Sequence, residues 1–354
     1  MLGFVLLWAC GGTGDSDVGS TASASAVIQR GTGTPAPEWS DTLEAADFVA
    51  AADFDGDGVD ERVRIWEDVL YWPGGQQALD AGVQVIRRGR LPEGERVLLG
   101  LGMNRDHREA AAQVVSVGPQ GPEVLWEEKG PRNQIADIRV HDESIHVTRF
   151  VAPKRVEGAY LRNGVMESVH RDGLATQQLP LGDGEMIIGR VYGEAPRSHG
   201  DLRHGRNGVF RALPSLRGVR SMALGQLDED SDLELLVGDG WHYAYGEQAL
   251  GRILLLDGPD WTSARTLGLL DGEYSARSIE VTSSLVEQPG EQAGVLVSGT
   301  KKVHYFKRDA LGWSSRVLGP TTETSNTVLI RTPRGLAAWI AGAPNSRLVG
   351  VESP

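Results

Sequence analysis

The sequence predicts an all-β chain folded as a β-propeller of seven blades, each a four-stranded antiparallel sheet. Three observations carry that expectation: short apolar runs separated by turn residues, a scarcity of helical apolar stripes, and a tandem repeat. The 354 residues are 40% hydrophobic, enough to bury a large core, while 46 glycines and 17 prolines punctuate the chain too densely for a helical protein.

The apolar runs are short, often β-branched and in several places alternating. Examples are Arg62 to Trp66, Val97 to Gly100, Val114 to Val117, Ile145-His146-Val147, Leu233 to Val237, Ile253 to Leu256, Val295 to Val297 and Val303 to Phe306. Each is bounded by Gly, Pro, Asp or Asn, the pattern of strands between turns. The best helical candidate, Asp106 to Val115, is alanine-rich and fits a loop entering a strand equally well.

The repeat sets the architecture. Trp261-Thr-Ser-Ala-Arg265-Thr-Leu-Gly268 returns as Trp313-Ser-Ser-Arg316-Val-Leu-Gly319. Upstream, Val219-Arg220-Ser221-Met222 returns as Ala276-Arg277-Ser278-Ile279, and Leu235-Leu236-Val237-Gly238 as Val295-Leu296-Val297-Ser298. Three elements kept in order define a unit of about four strands, and residues 40–354 accommodate about seven units of roughly 45 residues, six being the neighbouring count.

The chain opens MLGFVLLWACGG, an apolar run too short to span a bilayer as a helix. Leu7-Trp8-Ala9-Cys10 resembles a bacterial lipobox, in which the peptide is cut before the cysteine and the thiol carries lipid. Residues 1–10 are therefore expected to be a lipoprotein-type signal segment. Residues 11–40, rich in Gly, Ser, Thr, Ala, Asp and Pro, lack the apolar area to offset ordering entropy and are expected to form a flexible tether, with a random-coil span of about 30 Å. Residues 41–354 form the propeller. Gly11 after the cysteine resembles the outer-membrane sorting pattern of Gram-negative bacteria, so an exported, membrane-anchored protein is expected. Cys10 is the single cysteine, which excludes an internal disulfide and leaves oxygen or histidine as the ligands for any metal.

Asp53 to Glu61 reads DFDGDGVDE, and it lies between two strands. Asp53, Asp55 and Asp57 can converge on a hard cation, with Gly56 and Gly58 supplying tight, positive-φ curvature. Calcium takes six to eight oxygens, so the Val59 carbonyl, Glu61 and water would complete the set. Glu61 stands ninth, where an EF-hand requires a bidentate Glu at the twelfth position between helices, so an EF-hand is excluded. A second copy, Gln226-Leu-Asp228-Glu-Asp230-Ser-Asp232-Leu-Glu234, aligns without a gap and also precedes a strand. Gln226 in place of Asp53 lowers the charge and Ser231 replaces Gly58, which predicts a weaker second site. In the next unit, Val281 to Gly294, the Asp pattern is lost.

These two loops resemble the calcium loop of FG-GAP repeats, the VCBS-type and integrin-α-like propellers. The resemblance is strong over the two loops, covers about two thirds of residues 44–320 in texture, and fades between 85 and 215. It implies a calcium-stabilised propeller, commonly exported and used for adhesion or ligand binding, with Asp53, Asp55, Asp57, Val59 and Glu61, and Gln226, Asp228, Asp230, Asp232 and Glu234, at the ligand positions.

Signatures of catalysis are missing: the sequence holds no Gly-x-Ser-x-Gly elbow, Walker phosphate loop, His-Glu-x-x-His or complete dinucleotide fingerprint. A non-catalytic binding, adhesion or scaffold module is expected, with an unidentified protein or glycan ligand. A formal charge of −13 argues against nucleic acid. The alternative is a polysaccharide lyase or hydrolase using Asp183, Glu185 or Asp201, which would need a carboxylate pair with one raised pKa. Trp241, Tyr243 and Tyr245, like Tyr71-Trp72, suit either a sugar-stacking platform or the wedge between blades. The group His199-Gly-Asp201-Leu-Arg-His204-Gly-Arg206 is expected to be a polar loop.

Overall fold

The computed structural model describes residues 39–351, apart from 104–105, 108, 131–133, 153–154, 173–174, 183, 192–199, 208, 214–215, 229, 241–250, 271, 286–292, 310–311 and 323–324. Cys10, the 11–38 part of the tether, Trp241, Tyr243, Tyr245 and Asp183 thus lie outside the described residues.

Among the described residues, seven four-stranded antiparallel sheets form a ring, the seven-bladed β-propeller. Strand β1 (Ser40–Ala46) comes first in sequence but belongs to the last blade. Blade 1 comprises β2 (Phe48–Ala52), β3 (Glu61–Trp66), β4 (Val69–Trp72) and β5 (Gly75–Ala78). Blade 2 comprises β6 (Gly82–Leu91), β7 (Gly94–Gly102), β8 (Ala112–Gly118) and β9 (Gly121–Glu128). Blade 3 comprises β10 (Gln134–His141), β11 (Ser144–Ala152), β12 (Arg155–Arg162) and β13 (Val165–Asp172). Blade 4 comprises β14 (Ala175–Gly182), β15 (Glu185–Arg190), β16 (Leu202–Arg206) and β17 (Val209–Ala212). Blade 5 comprises β18 (Val219–Gly225), β19 (Glu234–Asp239), β20 (Gly251–Leu256) and β21 (Ala264–Leu270). Blade 6 comprises β22 (Ser278–Val281), β23 (Gly294–Ser298), β24 (Lys302–Asp309) and β25 (Gly312–Pro320). Blade 7 comprises β26 (Thr327–Thr332), β27 (Gly335–Ile340) and β28 (Gly342–Gly350), completed by β1.

The ring is closed by that mixed last blade. β1 pairs with β28 in the register Ser40↔Val349 and Thr42↔Arg347, with an irregularity between Glu44 and Ala46. Closure through both ends of the ring removes the free edge an open array of sheets would present. The first strand of each blade lies on the axis, where β2, β6, β10, β14, β18, β22 and β26 touch in succession and β26 returns to β2. Small side chains suit that crowded position, as in the buried Ala50-Ala51-Ala52 of β2. Gly100 marks one close approach between blades: a Cβ there would lie 2.5 Å from Ile135 Cγ2 of blade 3 and 2.6 Å from Val85 Cγ1.

Six of the seven blade interfaces are filled by apolar clusters, for example Ala223, Leu236 and Ile253 against Ile279, Val295 and Phe306 between blades 5 and 6. The interface between blades 3 and 4 differs. β11 turns Ile145 and Val147 into the apolar contact with blade 2. Strand alternation therefore sends His146 and Thr148 toward blade 4, where they lie fully buried with the equally buried Gln178 of β14. Side-chain polar atoms of all three lack hydrogen-bond partners within the protein. Among the described residues the apolar share of this seam is small, Met186 and Ile188 with Phe210, whose ring meets His170 edge-on at 5.0 Å.

The quoted sequence repeat falls in register. Val219–Met222 and Ala276–Ile279 map to the inner strands β18 and β22, the second pair to β19 and β23, and the Trp-to-Gly segments to β21 and β25. The described residues between 106 and 111 carry no helix and lead into β8. The expectation of a polar loop at 199–206 is corrected: Leu202–Arg206 is β16, with Leu202 buried and His204 and Arg206 facing Glu185 on the neighbouring strand. Its polar side chains alternate because their partners lie across the sheet.

Candidate metal centre

The first acidic loop leaves β2 at the end of an inner strand and enters β3. Successive aspartates curl it by accepting main-chain N–H groups a few residues on, as short Asx side chains do. Gly56 N–H donates to Asp53 Oδ1 at 2.6 Å and Gly58 N–H to Asp53 Oδ2 at 2.9 Å. Asp57 N–H donates to Asp55 Oδ1 at 3.1 Å, and Val59 N–H to Asp57 Oδ1 at 2.8 Å. Gly56 and Gly58 take φ of 81° and 87°, the left-handed conformation that glycine adopts without a Cβ penalty. Glu61 turns back to accept the Phe54 N–H at 2.6 Å.

This folding gathers carboxylates. Asp53, Asp55 and Glu61 each bring an oxygen to within 4.8 Å of the others. Asp57 and Val59 lie on the same turn, joined by the hydrogen bond above. Burial pushes the Glu61 carboxyl above its ordinary range against the lowering effect of the Phe54 N–H, and repulsion from Asp55 and Asp53 adds to the rise.

The second loop, between β18 and β19, repeats the pattern. Leu227 N–H donates to Glu234 Oε2 at 2.6 Å, Asp230 N–H to Asp228 Oδ1 at 3.2 Å, and Asp232 N–H to Asp230 Oδ1 at 2.8 Å. These are the counterparts of the Phe54, Asp57 and Val59 bonds. Here the oxygens that converge within 4.8 Å belong to Asp228, Asp230 and Glu234. Glu234 is buried, which pushes its carboxyl up to about 7 against the Leu227 N–H, with Asp228 and Asp230 contributing to the rise. The loops part at their first position. Gln226 cannot act as the Asp53 carboxylate does, and its amide nitrogen donates instead to the carbonyls of Asp228 and Asp230. Ser231, at the place of Gly58, does not adopt a positive φ. Asp232 enters through its main-chain N–H; its carboxylate is outside the converging trio.

An all-oxygen donor set of crowded carboxylates, with one glutamate lifted by burial and repulsion, has the chemistry that suits a hard divalent cation. The residues fit calcium.

The sequence reading missed what holds the first loop in place. Asp60, beside Glu61, turns away from the trio and is buried between two arginines. Arg331 of β26 donates to Asp60 Oδ1 through Nε at 2.8 Å and Nη2 at 2.6 Å, and Arg88 of β6 binds Oδ2. Glu95 bridges the Asp53 N–H at 3.0 Å and Arg331 Nη2 at 2.7 Å. The loop of blade 1 is therefore fixed to blades 2 and 7. Its second copy carries Leu233 at the Asp60 position, exposed, with its carbonyl accepting Trp261 Nε1–H at 2.9 Å. An acid at the eighth position of one loop and leucine in the other was the available signal.

Two of the carboxylates named for polysaccharide chemistry, Glu185 and Asp201, are otherwise engaged. Burial alone would raise Glu185, but Arg206 and His204, at 3.0 and 2.5 Å, outweigh it and hold the carboxyl below its ordinary range. Asp201 pairs with Arg203 at 2.6 Å and Arg190 at 3.4 Å. Tyr71 lies under the Arg64 guanidinium at 3.8 Å, and Trp72 packs on the blade 1–2 core and against Gly121, filling the wedge.

No protein-family profile matches the sequence, and no curated protein matches it. Among solved structures, a chain in the crystal structure of the mitotic checkpoint complex is similar in fold, with a TM-score of 0.54 over 93% of this chain and 99% of that one, at 10% identity.

Proposed function

We propose that this chain is a non-catalytic binding or scaffold propeller, exported and lipid-anchored through Cys10, with calcium at the 53–61 and 226–234 loops. The ring architecture supports the binding or scaffold role. The calcium reading is carried by repetition: two loops remote in sequence share three equivalent hydrogen bonds, and each gathers three carboxylates. Asp53, Asp55, Asp57, Glu61 and the Val59 carbonyl would hold the first ion, and Gln226, Asp228, Asp230, Asp232 and Glu234 the second. Bound calcium would offset the carboxylate repulsion and clamp inner strands to their neighbours, β2 to β3 and β18 to β19. The lipobox-like end and the Gly/Ser/Thr-rich stretch support a tethered surface location, outer membrane or cell surface, with an adhesive protein or glycan ligand. The polysaccharide-active alternative gains nothing from Glu185 or Asp201, both tied into ion pairs.

The test is thermal melting of the full chain with calcium and with a chelator. A thousandfold excess over the dissociation constant adds about 4 kcal/mol of stability, so the midpoint should rise by several degrees. Asp55→Ala with Asp57→Ala should remove most of the shift, and Asp228→Ala with Asp230→Ala less. Identical midpoints with calcium and chelator would sink the calcium reading.

A further inference from the structure

The joints between neighbouring blades are not alike. Between blades 5 and 6, Leu236, Ile253 and Leu255 of one sheet meet Ile279, Val281 and Val295 of the next in one apolar cluster. Between blades 3 and 4, the face that blade 3 presents is built from two rows of residues running across its strands. The register aligns Arg139, His146 and Tyr160 in one row, and Asp137, Thr148, Gly158 and His170 in the other. Residues directly opposite in an antiparallel sheet share a face, so no position in these two rows offers an aliphatic side chain to blade 4.

The inner end of this joint is tied by Arg139. Its Nε binds Asp137 at 2.8 Å, and its Nη2 donates to Gln177 Oε1 of blade 4 at 3.2 Å and to the Met222 carbonyl of blade 5 at 3.3 Å. Further out the ties stop. Both ring nitrogens of His146, the Thr148 hydroxyl and both amide atoms of Gln178 are buried without a hydrogen-bond partner in the protein. Gln178 reaches this place because β12 carries a glycine there. A Cβ on Gly158 would lie 1.8 Å from Gln178 Oε1 and 3.0 Å from His146 Nε2.

This arrangement sets the sign of the energy when a joint parts. An apolar joint loses burial on opening and gains nothing from water. At the joint of blades 3 and 4 little aliphatic surface is lost, while the polar atoms of His146, Thr148 and Gln178 recover hydrogen bonds with water. Regions with few buried apolar contacts are the ones that open locally, below the cost of global unfolding.

We propose that the ring has one yielding joint: blades 3 and 4 part locally, separating β11 and β12 from β14, while each sheet stays paired and the apolar joints stay shut. This goes beyond the binding-module reading and needs no calcium.

Thiol labelling under native conditions tests it, because a buried cysteine reacts only when its face is exposed. The full chain with Cys10→Ser, which removes the native thiol, is given Thr148→Cys in this joint or Val295→Cys in the joint of blades 5 and 6, and is treated with iodoacetamide. Urea unfolding of each variant supplies the rate expected if labelling required complete unfolding. Thr148→Cys should label at least tenfold faster than its own global rate and depend little on urea, since a local opening exposes little surface. Val295→Cys should label at its global rate. Adding His146→Leu with Gln178→Leu to Thr148→Cys should slow labelling at least tenfold; if that variant fails to fold, Gln178→Leu alone should slow it severalfold. Labelling of Thr148→Cys only at its global rate, equally fast local labelling of Val295→Cys, or a rate that the folded apolar variants leave unchanged would overturn the proposal.

Discussion

Arg331 grips both oxygens of Asp60, 271 positions away: its side chain reaches Oδ1 through two nitrogens at 2.8 and 2.6 Å, and its main-chain N–H donates to Oδ2 at 2.7 Å. The pair links the last blade to the acidic loop of the first. Arg88 shares the same carboxylate from blade 2. Removing one member of a buried ion pair leaves the other charges desolvated and unmatched, at a cost of about 3–5 kcal/mol. Asp60→Ala is expected to lower the denaturation free energy by that amount, measured by urea unfolding, and to weaken the response to calcium by releasing the base of the loop. A loss below 1 kcal/mol would show that the loop is held by other means.

The polar seam between blades 3 and 4 predicts a pH dependence. Burial lowers His146 from its ordinary 6.5 to about 4, with Asp137 opposing and Arg139 and His170 reinforcing the change. The unfolded chain takes up this proton below pH 6.5 and the folded chain resists it until about pH 4. The contribution of a neutral His146 is therefore complete above 6.5 and is lost as the pH falls from 6.5 toward 4, by about 3 kcal/mol in all. His146→Gln should flatten the fall in stability across that window relative to wild type, as read by denaturant melts at several pH values. Parallel curves for the two proteins would contradict the assignment.

Gly100→Ala should destabilise the ring by about 1–3 kcal/mol, because the new methyl would press into Ile135 and Val85 where two blades meet. Gly56, with open space around its Cβ position, makes the informative contrast. Gly56→Ala should cost about 1–2 kcal/mol through its positive φ alone, with no crowding. Thermal melts of the two variants test both figures.

The second loop can be remade as the first. Gln226→Asp restores the carboxylate that accepts two main-chain N–H groups in the first loop, and Ser231→Gly restores the residue that tolerates a positive φ. The combined variant should bind calcium more tightly at the second site, seen as a second strong phase in calorimetric titration. An unchanged isotherm would mean that the first position does not set the affinity.

Much of the ring was legible because blades 5 and 6 keep side-chain identities in register, from Arg220 and Arg277 to the strands that carry Val237 and Val297. Blades 2 to 4 were harder to read. β16 alternates Leu202, His204 and Arg206, whose polar members are explained only by Glu185 across the sheet. In the first acidic loop the candidate ligand positions stand in a row of nine residues, whereas the anchor of Asp60 comes from Arg331, which no local pattern points to.

The most direct measurement of the central claim is the anomalous scattering map of a crystal grown in calcium. The account predicts a calcium peak enclosed by Asp53, Asp55 and Glu61, with a weaker one beside Asp228, Asp230 and Glu234. A first loop that is ordered, bound to Arg331 through Asp60, and without any such peak would contradict it.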